Sequence, residues 1–141
     1  MILATESDFE SIKEIFYKHK KWFPHVRTDY MKRIIAKKQM IYDDGIIITF
    51  HHAKRKQTIG DVQVRKGDTV LHQIANGDPG SGYAKVVLQD FFNWCPRDVF
   101  LSVRSDNVKA CNFYNEIGMK LVGETSWARG TLPGKVYVKR K

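Results

Sequence analysis

Phe9, Ile12, Ile15 and Phe16 recur three and four residues apart, with charged residues between them. That period puts the apolar positions on one face of a helix, which the spacing carries to about Lys20. Ser7 followed by Glu10 fits a capping box at its start. Tyr30, Met31, Ile34 and Ile35 repeat the period against Lys32, Arg33, Lys37 and Lys38, so a second, basic amphipathic helix is expected over Asp29–Lys38 with Thr28 as its cap. Between the two, Trp22-Phe23-Pro24 is an aromatic loop, read as a core lid or as a substrate wall. Ahead of both, Met1–Ala4 reads as a short first strand.

The period then changes to two. Met40–Tyr42 and Ile46–His51 are short apolar runs joined by Asp43-Asp44-Gly45, a hairpin signal. Thr58–Val64 is expected to be one extended segment, and Thr69–Ala75 a further strand after the Lys66-Gly67-Asp68 turn. Ala84, Val87, Leu88, Phe91 and Phe92 restore helical spacing up to Cys95-Pro96, where proline ends the helix. Val99–Val103 is a strand, Ser105-Asp106-Asn107 supplies a cap, and Ala110, Phe113, Tyr114 and Ile117 form the buried side of a last helix that stops at Gly118. Met119–Val122 and Val136–Val138 are two final strands. The loop between them holds Trp127, Arg129 and a turn at Leu132-Pro133-Gly134. The order β-α-α-β-β-β-α-β-α-β-β describes a mixed α/β sheet with helices on both faces. A length of 141 residues fits one domain, 1–141.

Charge adds a partner class. The net charge of +9 predicts attraction to polyanions, nucleic acid among them, and has no bearing on fold. Runs such as Lys54-Arg55-Lys56 and Lys139-Arg140-Lys141 serve equally as solvated faces. Cys95 and Cys111 form no CxxC pair and read as reduced core residues. No leader-like or membrane-length apolar run is visible, so a cytoplasmic setting without a membrane partner is expected.

The chemistry concentrates between Leu71 and Leu88. A strand breaks into Gly77-Asp78-Pro79-Gly80-Ser81-Gly82 and resumes as a helix. Bare glycines let amides point outward, and a helix start leaves its first N–H groups without intrahelical partners. Together these make an anion site, most often for phosphate, or else a flexible connection.

Two stretches of the chain resemble the GNAT N-acyltransferase superfamily. The glycine turn resembles the family's Q/R-x-x-G-x-G/A pattern, with Gly80 and Gly82 at the glycine positions and Gly77 where Gln or Arg is usual. The run from Val103 to Glu124 resembles the family's N-x-x-A-x-x-F-Y-x-x-x-G-F sequence, carried by Asn107, Ala110, Phe113, Tyr114 and Gly118, with Met119 in place of the aromatic. The resemblance implies a GNAT-like α/β (α+β) fold, with a mostly antiparallel central sheet of six to seven strands. It implies acetyl-CoA as donor, no metal, and a primary amine as acceptor attacking directly in a ternary complex. A homodimer is a further expectation.

Carried onto this chain, the resemblance assigns coenzyme contacts to Ile74, Ala75, Gly77, Gly80, Ser81, Gly82, Tyr83, Ala84, Asn107 and Tyr114. Ile74 or Ala75 supplies the N–H that polarises the thioester carbonyl. Tyr114 is the acid for the leaving thiolate, or a core tyrosine, and Asn107 contacts the pantetheine arm, caps a helix, or does both. His72 is the candidate base, since histidine titrates near neutrality. His51, His52 and a water-only route are its alternatives. Arg129 could meet an acidic acceptor group, or simply sit in a hairpin loop. Some phage DNA-modifying proteins share this fold, so base modification in nucleic acid is the alternative function. A non-catalytic binding module is the third.

Overall fold

The computed structural model describes residues 1–141. Its helices are α1 (Phe9–Lys18), α2 (Thr28–Ala36), α3 (Tyr83–Trp94) and α4 (Val108–Glu116). Its strands are β1 (Met40–Asp43), β2 (Ile46–His52), β3 (Gln57–Ile59), β4 (Val62–Val64), β5 (Thr69–Asn76), β6 (Val99–Arg104), β7 (Lys120–Trp127) and β8 (Leu132–Lys139). Six strands hydrogen-bond in the order β1-β2-β5-β6-β8-β7, while β3 and β4 form a separate two-stranded sheet. Every pairing with a defined register is antiparallel except β5 with β6. The expected mixed, mostly antiparallel sheet is therefore present, with six strands. The chain divides into two compact units, residues 1–50 with 72–91, and residues 51–71 with 92–141.

The first unit is built on the helical stripes read from the sequence. Ile12 and Phe16 of α1 and Met31, Ile34 and Ile35 of α2 pack with Met40, Ile47 and Ala75 into one apolar cluster. Phe23 meets Phe16 edge-on at 5.3 Å, so the aromatic loop closes this core. The expected strand at Met1–Ala4 is reduced to a single bridge between Leu3 and Ile41. It stops there because the Thr5 N–H turns to donate to Asp8 Oδ2 at 2.9 Å. That bond also moves the capping interaction two residues back from a Ser7–Glu10 box, with a short 3-10 turn over Glu6–Asp8 leading into α1. Thr28 is likewise the first helical residue and not the cap, a place taken by Arg27 in extended conformation. The helix ends at Ala36. Lys38 adopts φ 59°, the left-handed position that glycine more often fills after a helix.

One polar group is sealed inside this unit. Thr49 on β2 is fully buried. Its Oγ1 accepts from the Gln73 N–H at 3.0 Å and donates to Gln73 Oε1. Tyr30 on α2 donates to the same oxygen at 3.0 Å. Helix α2, β2 and β5 are thus tied at one buried point.

The second unit corrects two expectations. Thr58–Val64 is not one extended segment but the β3–β4 hairpin, paired Gln57 to Val64 and Ile59 to Val62. Gly60 turns it at φ 58°, and a Cβ at Gly60 would collide with Glu124 and Thr125 of β7. Asp61 holds the hairpin there, accepting from the Glu124 N–H at 3.0 Å, next to the register shift between Leu121 and Gly123. The second correction concerns the last two strands, which are longer than their apolar runs. Trp127 and Leu132-Pro133-Gly134 lie inside β7 and β8, with Trp127 opposite Leu132. The indole of Trp127 covers Gly134, where any Cβ would collide with it. The reversal falls on Ala128, Arg129 and Gly130, at φ 51°, 57° and 88°. Cys95 and Cys111 are buried free thiols, as expected.

Thr49→Val keeps the shape of the side chain and removes both of its hydrogen bonds. It leaves the Gln73 N–H without its acceptor, so the protein should lose about 1–3 kcal/mol of stability, read as a lower urea midpoint with an unchanged slope.

Candidate functional site

The chain enters the glycine turn along β5. In a strand, neighbouring side chains point to opposite faces. Gln73 bonds to Tyr30 of α2 and Ala75 packs in the α1–α2 cluster. His72 and Ile74 therefore take the other face, as expected, with His72 exposed and Ile74 half-buried. The Gln73 amide is engaged by Thr49, which leaves the Ile74 and Ala75 amides as the oxyanion donors to consider.

The turn is fixed at both ends by the β1–β2 hairpin turn. At its entry the Gly77 N–H donates to the Gly45 carbonyl at 2.8 Å. At its exit the Tyr83 hydroxyl donates to Asp43 Oδ1 at 2.9 Å. His19 Nε2 adds a contact at 3.1 Å to the Asn76 carbonyl. Between these anchors the Asp78 N–H donates to Asn76 Oδ1 at 2.9 Å, and Ser81 Oγ accepts from the Tyr83 N–H at 3.3 Å, capping α3. The remaining amides of the first turn, with Ala84 and Lys85, are of the kind a helix start leaves for a ligand.

The three glycines act differently. Gly80 and Gly82 have φ of 99° and 79°, with open space where a Cβ would stand. They are glycine because of backbone conformation. Gly77 has no such φ. A Cβ there would lie 3.0 Å from Ile15 Cδ1 and 3.3 Å from the Gly45 carbonyl, so it is glycine because α1 and the hairpin turn crowd it. Of the predicted coenzyme contacts in this unit, Gly77 and Tyr83 have their amides engaged within the protein.

Carboxylates also stand near the turn. The hydrogen bond to Asp43 is the main cause that raises the Tyr83 phenol above its ordinary value, with burial next and the charges of Asp43, Asp44 and Asp90 adding to it. A phosphate there would meet this negative field, partly offset by the helix start and the exposed Lys85.

Asn107 and Tyr114 lie in the second unit. Asn107 caps α4, its Oδ1 accepting from the Ala110 N–H at 3.3 Å, which leaves its NH2 group as a donor. Tyr114 is buried, with Phe113 and Tyr137 rings 5.8 Å away. Burial, then the neighbouring Cys111 and Tyr137, pushes its phenol far above the usual value near 10. It therefore holds its proton at neutral pH.

The alternative bases sit at the end of β2 in this second unit. His51 Nε2 lies 3.5 Å from Gln57 Oε1. His52 Nδ1 is 2.8 Å from Thr69 Oγ1 and its ring is 5.3 Å from Trp94. Burial, and then His51, lowers the His52 pKa, which keeps it neutral. Thr69 opens β5, five residues before Ile74. Arg129 is exposed at the β7–β8 turn.

Sequence reasoning missed Asp43, Gly45, Tyr30, Thr49 and Gln73 as supports of the site. The Asp43-Asp44-Gly45 turn was legible as a hairpin. Its use as a clamp was not, because that depends on where the chain returns more than thirty residues later.

No protein-family model matches the sequence, and no curated protein matches it. Solved structures do. A GNAT-family acetyltransferase from Bacillus cereus ATCC 10987 matches with a TM-score of 0.74 at 19% identity, over 99% of this chain and 94% of its own. A second, from Streptococcus agalactiae 2603, gives 0.76 at 16% identity over 99% and 93%. Arabidopsis thaliana NAA60, solved in complex with acetyl-CoA, gives 0.72 at 14% identity over 98% and 96%. The likeness is one of fold, and this chain has the GNAT acetyltransferase fold.

Two outcomes test the site as a structure. Gly82→Ala forces a left-handed alanine and should cost about 1–2 kcal/mol of stability in thermal denaturation. Tyr114 should mark the alkaline limb. Unfolded, its phenol ionises near pH 10. Folded, it does not, so the stability it contributes is complete below about pH 10 and is lost as pH rises further. Tyr114→Phe should flatten that decline relative to the native protein, measured by urea denaturation at stepped alkaline pH.

Proposed function

We propose, from the GNAT fold of this chain, that it transfers an acetyl group from acetyl-CoA to a primary amine by direct attack with both substrates bound. The observation that carries this reading is the strand, glycine turn and helix start at Ile74–Ala84, clamped at both ends. That NAA60, of the same fold, was solved with acetyl-CoA supports the choice of donor.

In this reading the amides of Gly80, Ser81, Gly82 and Ala84 hold the coenzyme pyrophosphate, where a helix start favours negative charge. The Ile74 or Ala75 N–H faces the carbonyl oxygen as the amine nitrogen adds to the carbonyl carbon, and stabilises the charge that develops there. The amine passes its proton to His72 or to water. The carbon–sulfur bond then breaks, and Tyr114, which holds its proton at neutral pH, donates towards the departing thiolate. Asn107 orients the pantetheine arm through its NH2 group. Alignment of the two substrates supplies much of the acceleration, and no covalent enzyme intermediate is needed.

A second reading is favoured by one observation. The engaged Gly77 amide, with Asp43, Asp44 and Asp78 about the turn, weakens the case for an anion there. It suits a domain that keeps the fold and binds without catalysis.

Calorimetric titration with acetyl-CoA at moderate salt separates the two. Micromolar binding, together with turnover on a panel of polyamines, peptide N-termini and lysines, is the expected result. Neither binding nor turnover would leave the second reading in place. Tyr114→Phe should lower kcat at least about tenfold with little change in KM for acetyl-CoA, as loss of an acid acting in the transition state requires.

A further inference from the structure

The chain's positive charge is not evenly shared. The second unit holds 14 of the 24 lysines and arginines and six of the 15 acidic residues, a net +8 that leaves +1 for the first. Much of this charge gathers at one rim. The basic loop after β2 is tied to the turn before β5 by the Ala53 N–H on the Asp68 carbonyl at 2.8 Å and the Gly67 N–H on the Ala53 carbonyl at 2.9 Å. The Arg97 guanidinium reaches the Lys66 carbonyl at 3.4 Å. The chain's last residues join the same rim, with Arg140 on Asp98 at 2.9 Å and Lys141 Nζ on the Asn93 carbonyl at 2.9 Å. Asp98 accepts from both Arg140 and the Lys141 N–H, so this carboxylate of the rim is already paired.

An indole adjoins this rim, next in the chain to the Asn93 carbonyl that Lys141 binds. Trp94 ends α3 with 46% of its surface exposed, unusual for a tryptophan. Its orientation is set by His52, 5.3 Å away, which Thr69 holds in turn. A flat ring presented on a rigid support and adjoining a cationic rim has the two elements that single-stranded nucleic acid uses, a surface for a base to stack on and cations for its phosphates. An acidic protein surface would need the cations but not the ring.

We propose that this rim, Trp94 together with Lys54, Lys66, Arg97, Arg140 and Lys141, is a docking surface for single-stranded polynucleotide. None of these residues is assigned to coenzyme or acid–base chemistry, so the surface stands or falls independently of acetyl transfer.

The test is fluorescence anisotropy with a labelled oligothymidylate of about 20 nucleotides, longer than the usual single-strand footprint. With about four phosphates contacted and a slope near −0.7 for each, affinity should fall about 50-fold between 50 and 200 mM salt. Lys54→Glu/Lys66→Glu/Arg97→Glu should weaken binding at least about tenfold. Lys18→Glu/Lys20→Glu/Lys37→Glu, an equal charge change in the first unit, should weaken it less than about threefold. Trp94→Ala should lose about fivefold or more with the salt slope kept, and Trp94→Phe should recover most of it. No binding by the native protein overturns the proposal. So do equal losses from the two triple variants, which would mean a diffuse field, and an unaffected Trp94→Ala. Displacement of the oligonucleotide by polyglutamate at equal charge concentration would reassign the rim to acidic proteins and also overturns it.

Discussion

A single backbone hydrogen bond, from the Gly77 N–H to the Gly45 carbonyl, decides where β5 stops and the glycine turn begins. A turn with three glycines has many conformations open to it, and holding it in one costs more entropy than for other residues. The β1–β2 hairpin turn limits that freedom at both ends, through Gly45 at the entry and Asp43 at the exit. The amides at the start of α3 inherit their direction from a hairpin formed before β5 in the chain.

The same logic runs backward along β5. Its buried tie to Thr49 and Tyr30 fixes the strand one residue before Ile74. A side-chain hydroxyl inside an apolar sheet is costly unless both of its roles are filled, and here they are. The tie sets the face on which Gln73 and Ala75 lie, and so the face left to His72 and Ile74. Positioning of any reacting group on β5 rests on a threonine and a tyrosine that touch none of the proposed chemistry.

Much of this was legible in the sequence, for physical reasons that differ from element to element. The stripes of α1 and α2 were, because burial repeats every three to four residues. The Asn107 cap was, because its partner is three residues away. What failed depended on distant neighbours. Thr58–Val64 has the composition of one strand, and it turns at Gly60, at φ 58°, where β7 leaves no room for a Cβ. Trp127 and Gly134 read as loop residues, yet each makes room for the other within one strand pair. Met1–Ala4 has strand composition without strand length, since the first helix claims the Thr5 amide. In the site, the glycine turn was visible as a motif. The reason for each glycine was not, because φ at residues 80 and 82 and the crowding at residue 77 exist only once the chain is folded.

The crowding at Gly77 reaches beyond the site. The family pattern places a long polar side chain at that position, and this chain has Ile15 of α1 in the space it would start from. The two positions act as a lock with one key. A glutamine or arginine at residue 77 would require the Ile15 side chain and the Gly45 carbonyl to shift, so the first helix, far away in the chain, shapes which version of the turn this protein carries most easily. Residues 15 and 77 are therefore sterically coupled, and moving a turn with a larger residue 77 into this chain without adjusting the helix would transplant the motif but strain its shape.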